Sequence, residues 1–125
     1  MATINDADIV RKMRELTEPF TLTGGVLIAG NVFRTGTMRI LTGHIQSEVT
    51  AQNPKNADEE AAMLIAKRIT LDGLDPKALT HTAILELPSF DRGELDMAAG
   101  RLYEKYSTFR DKQPATAAAN GGKTG

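Results

Sequence analysis

The sequence predicts an α+β fold, a small glycine-punctuated antiparallel β-meander followed by a mainly helical C-terminal half. Three observations carry that prediction. Across residues 20–41, short β-favouring runs alternate with Gly24-Gly25 and Gly30-Asn31, which supply the positive φ angles of hairpin turns. From Thr42 onward, apolar residues recur at three- and four-residue intervals behind side chains able to cap helices. Charge falls away in the first region, where residues 19–43 hold only Arg34 and Arg39, so one face of the meander is built to be covered.

The elements follow in order. Asn5 or Asp6 caps a helix over 6–17, with Ile9, Val10, Met13 and Leu16 on one stripe. Glu18-Pro19 ends it, because proline disfavours helical geometry in the residue before it. Strand-like runs occupy 20–23, 26–28, 32–34 and 37–41, with turns at Gly24-Gly25 and Gly30-Asn31, giving a two- or three-stranded meander. Thr42 then caps a helix over 44–52, where Ile45 and Val49 lie one turn apart, and Asn53-Pro54 breaks it. Asn56 caps a helix over 57–71 whose apolar face is Ala61, Leu64, Ile65 and Ile69 and whose stop is Asp72-Gly73. Asp75-Pro76 opens a short helix to Glu86, and Pro88 stops it. Ser89 caps the longest helix, from Phe90 or Asp91 to Arg110, with Leu95, Ala98, Ala99, Leu102, Tyr106 and Phe109 along one side. Gly93 and Gly100 cost that helix roughly 1 kcal/mol each and are read as marking a close helix contact. The prediction is one domain over 1–113, with helices across 43–110, and a disordered tail over 114–125 that carries no large apolar side chain.

Length and composition bound the function. At 125 residues and 41% hydrophobic, the chain supports one core and not two. Fifteen basic against 16 acidic side chains argue against a general nucleic-acid or anionic-membrane binder, which needs surplus Lys and Arg. The absence of cysteine removes disulfide scaffolds, thiolate zinc sites, iron-sulfur clusters and cysteine nucleophiles. No basic region followed by an apolar run opens the sequence, so a cytoplasmic location is expected. The longest apolar stretch, 26–29, is far short of the ~20 residues that cross a bilayer.

Candidate chemistry is sparse. Gly122-Lys123-Thr124 resembles the end of a phosphate-binding loop, but Ala117 stands where that loop needs glycine and no helix follows. His44 and His81 are the only histidines and sit on separate elements, so a metal site would need a further ligand brought in by folding, and surface or capping roles are expected for them. Asp58-Glu59-Glu60 point in different directions around a helix and read as favourable charge at its N-terminus. Gly24-Gly25 and Gly30-Asn31 offer backbone amides that suit a phosphate, yet no helix starts after either, so hairpin turns are the simpler account. Arg92 opposes the dipole of the helix it opens; a salt bridge to another element is the favoured explanation, and partner recognition the competing one. No cofactor is called for.

Three segments carry a resemblance. They are Arg39-Ile40-Leu41-Thr42-Gly43, then Leu64-Ile65-Ala66-Lys67-Arg68-Ile69, then Leu87 to Leu95 with Asp91-Arg92 in its middle. Set behind a glycine-punctuated meander, they resemble the small tail-assembly proteins of tailed bacteriophages, namely baseplate hub assembly proteins of T-even type and tail assembly chaperones of myophages. The resemblance covers roughly residues 20–106 and implies a non-enzymatic assembly factor in the bacterial host cytoplasm that binds other tail or baseplate proteins. It marks Arg39, Thr42, Gly43, Asp91 and Arg92 as partner-binding, with the meander edge and the last helix as surfaces. The alternatives are a minor structural protein of the virion tail or head-tail junction, and a small enzyme or metal-binding domain using His44 and His81.

Overall fold

The computed structural model describes residues 6–112. The tail predicted over 114–125 lies outside them.

An α+β fold with a three-stranded antiparallel sheet is present. Strands β1 (Thr17–Ile28) and β2 (Asn31–Arg39) form a hairpin joined by Ala29-Gly30. Both turn residues have positive φ, 52° and 82°, a pairing whose twist matches that of the flanking strands. The turn therefore falls one residue earlier than Gly30-Asn31, and Asn31 joins the strand opposite Ile28. Gly24-Gly25 is not a turn at all. Pairing passes from Thr21 with Thr35 directly to Val26 with Phe33, so residues 22–25 face Arg34 alone and bulge out of the ladder. Pro19 sits within β1 opposite Thr37, tolerated because β1 is an edge strand.

The third strand comes from an unexpected place. β3 (Ile69–Leu71) pairs with β2 at residues 36–38, giving the order β1-β2-β3, although these residues were predicted as helix. Helix α3 (Ala57–Arg68) stops at Arg68, and alternating burial takes over, with Ile69 and Leu71 inside and Thr70 outside. Gly36 lets the strands close, because a Cβ there would overlap the Thr70 carbonyl oxygen and stand 3.0 Å from Phe20 Cζ. The predicted run at 37–41 is not a strand of its own: residues 37–39 end β2, and Ile40 and Leu41 lie beyond it.

The remaining helices surround this sheet. α1 (Asp6–Arg14) ends before residue 17, since Thr17 already belongs to β1, and buries Ile9 and Met13. α2 (Gly43–Ala51) is capped by Thr42, whose Oγ1 accepts from the Ile45 N–H at 3.2 Å. Asn56 caps α3 by accepting from the Glu59 N–H at 2.8 Å. The buried side of α3 is Ala62, Met63 and Ile65, so the face is rotated from the one predicted through Ala61 and Leu64. The single helix expected over 76–86 is split, because two caps act in succession. Asp75 opens a 3₁₀ turn (Pro76–Ala78), and Thr80, accepting from the Ala83 N–H at 3.3 Å, opens α4 (His81–Leu85).

α5 (Ser89–Lys112) lies on the sheet, and its Leu95, Ala98 and Leu102 join one core with Phe20, Leu22, Val26 and Met38. Tyr106 and Phe109 are only half-buried, since β1 begins at Thr17, opposite Lys105. Among the described residues no helix is long and apolar enough to cross a membrane.

Candidate functional site

An edge strand exposes unpaired amides and carbonyls, and here α5 covers them. It runs antiparallel to β1 along its outer edge. At the bulge, Asp91 Oδ1 accepts from the Thr23 N–H at 2.8 Å, and its Oδ2 accepts from the Gly24 and Gly25 N–H groups at 3.0 Å each. Further along, Arg101 Nη2 donates to the Pro19 carbonyl at 3.3 Å and Lys105 Nζ to that of Thr17 at 2.8 Å. Both cations also hold Glu18, each at 2.8 Å. Hydrogen bonds from Lys105 and then Arg101 keep the Glu18 carboxyl below its ordinary range.

The glycine pair is therefore an anion-binding nest, and the anion is a side chain of the same protein. Asp91, marked above as partner-binding, is fully buried, and both its oxygens are taken by β1.

The other marked residues are placed as follows. Arg39 is exposed, and its Nε and Nη2 both donate to the Lys67 carbonyl, at 3.2 and 2.9 Å. Arg68 Nε answers with a bond of 3.0 Å to the Arg39 carbonyl, so two arginines tie the end of β2 to the end of α3. Thr42 caps α2, and Gly43 is the first residue of that helix, with open space around it. Arg92 has no carboxylate partner among the described residues, and its Nε is buried without an acceptor. Arg39, Thr42 and Gly43 lie at the Thr17 end of the hairpin and Asp91 and Arg92 at the Gly24 end, so the five form no single surface.

A groove of about 760 Å³ opens where β3, α3 and the segment around α4 meet. Met63, Ala66, Ile69 and Leu79 give it an aliphatic lining, Arg39, Lys67 and Lys77 supply its charge, and His81 adds an imidazole. No carboxylate lines it. Just outside, Glu48 stands 3.5 Å from Lys67 Nζ and 3.0 Å from His44 Nε2, and Glu59 stands 3.4 Å from His81 Nε2. Glu59 is held below its ordinary range, first by the Lys55 backbone N–H and then by His81. Sequence reading missed Lys67 and Lys77 as candidates, because their convergence with Arg39 depends on β3 pairing with β2.

A second hollow of about 300 Å³ separates Ile40 and Leu41 from Tyr103 and Tyr106 of α5. Burial there pulls the Arg68 guanidinium below its ordinary value. Among the described residues, no three His, Asp or Glu side chains gather where they could hold a metal ion.

Large apolar side chains are left in water on the hairpin, on α4, where Leu85 is 39% exposed, and on α5. Leu27 and Val32 face each other across the hairpin and are 60% and 46% exposed. On α5, Phe90, Met97 and Tyr103 are 59%, 59% and 71% exposed. Among the described residues, nothing lies within 4 Å of where a Cβ on Gly93 or Gly100 would stand, so neither marks a close helix contact there.

Compared with family models, with curated proteins and with solved structures, the chain matches none.

Proposed function

We propose that this chain is a non-enzymatic assembly factor of tailed-phage tails or baseplates, binding other tail proteins during morphogenesis. The phage assignment rests on the three sequence segments that resemble tail-assembly proteins. The structural observation that carries partner binding is the Leu27–Val32 pair, two large apolar side chains in direct cross-strand register and both exposed. Isolated exposed apolar residues are ordinary, but a paired set at the end of a rigid hairpin is stabilised when a partner covers it, at roughly 25 cal/mol per Å². Phe90, Met97 and Tyr103 offer the last helix as a second surface.

The reading moves the contact away from Asp91 and Thr42, whose side chains serve the fold, and onto the hairpin end and the outer side of α5. The test is affinity capture of the tagged chain from phage-infected cells, compared with Leu27→Asp/Val32→Asp. Tail or baseplate proteins should co-purify with the native chain and be lost with the double variant at unchanged circular dichroism. Equal recovery with both chains would remove the hairpin as the contact, and recovery of no tail protein would remove the assembly reading.

A further inference from the structure

We infer that the groove beside β3 binds an extended acidic peptide segment carrying aliphatic side chains. The inference deepens the proposed function by naming the chemistry of a partner segment, and rests on that reading only for the source of the segment.

Charge is the first argument. The chain has more acidic than basic side chains, yet its larger groove is lined by Arg39, Lys67 and Lys77 and no carboxylate. Glu48 offsets Lys67 from outside, and Glu59 stands beside His81. Arg39 and Lys77 have no carboxylate partner among the described residues. Two cations without counter-charge facing one recess make it complementary to an anion.

Pre-organisation is the second. A flexible arginine loses much entropy when it is immobilised by a ligand, but Arg39 is already held in plane by two bonds to the Lys67 carbonyl. Its Nη1 has no acceptor among the described residues.

The lining decides the occupant. Met63, Ile69 and Leu79 give an aliphatic surface with no Phe, Tyr or Trp on which a nucleobase could stack. An extended peptide alternates its side chains between two faces, so acidic residues can meet the cations while leucines meet the floor. The groove volume, about 760 Å³, accommodates a short segment of this kind.

The experiment is an amide-resolved NMR titration of the full chain with a blocked peptide of alternating leucine and glutamate. Shifts should cluster at Arg39, Lys67, Thr70 and Lys77, and a leucine–lysine peptide should cause none. Lys77→Gln, at an exposed position with no partner to lose, should weaken binding several-fold, and Arg39→Gln/Lys77→Gln by about tenfold or more. Inorganic phosphate alone serves as the competing small anion. Shifts elsewhere, equal response to the lysine peptide, indifference to Lys77→Gln, or groove shifts with phosphate but not with peptide would each overturn the inference. Peptide binding together with a capture that recovers no tail protein would refute the assembly reading and leave the groove assignment standing, and the reverse pattern would do the opposite.

Discussion

Asp91 Oδ2 accepts from the Gly24 N–H at 3.0 Å, and a Cβ placed on Gly24 would stand 2.9 Å from that same oxygen. The two residues are 67 positions apart, and their contact joins the start of α5 to the bulge of β1. A carboxylate collecting three amides supplies what a neighbouring strand would otherwise supply at this edge.

Asp91→Ala should destabilise the fold by roughly 2–4 kcal/mol, because it strands amide donors that no other group reaches. Asp91→Asn keeps one accepting oxygen and should cost less. Denaturant unfolding of the two variants checks the order.

The glycines should divide by sign. Gly24→Ala displaces the Asp91 carboxylate and should cost about 1–3 kcal/mol, whereas Gly36→Ala, which strikes the backbone of β3, should cost more. Gly93→Ala and Gly100→Ala, in open helical positions, should each stabilise by up to about 1 kcal/mol. Thermal midpoints of the four variants separate these outcomes.

Glu18 predicts a pH dependence. Its folded-state carboxyl is held below the ordinary value of 4.5, so its ion pairs stabilise the fold above that value and are lost as pH falls through the folded value. Glu18→Gln should therefore be less stable at neutral pH and show a shallower loss on acidification. Unfolding free energies measured from neutral to acidic pH test both parts.

Thr42 acts through its hydroxyl. Thr42→Ala should cost about 1 kcal/mol and Thr42→Ser should restore most of it, as a helix cap requires. Capture of tail proteins should be unchanged in both variants, which a direct partner contact at Thr42 would contradict.

Much of the chain was legible locally. Thr42, Asn56 and Asp75 were each read as caps and each accept the hydrogen bond that a cap accepts. Those signals lie within three residues of what they control, and a sequence window contains them. The failures share the opposite property. Gly24-Gly25 has the composition of a turn and becomes a bulge because Asp91 holds its amides. Ile69–Leu71 continues a helical pattern and becomes a strand because β2 offers an edge to it.

The candidate site was the least legible part. Of the residues marked by resemblance, Arg39 lines the groove, while Asp91 and Thr42 are spent on the fold. Lys77 carried no local signal.

Residue order alone thus settled the fold class, the caps of α2 and α3 and the low-charge meander, since these follow from nearest-neighbour backbone and hydrogen-bond preferences. Which glycines turn the chain, where the third strand comes from and which cations share a groove were decided by long-range pairing. There a buried carboxylate or an open sheet edge outweighs local propensities of about 1 kcal/mol.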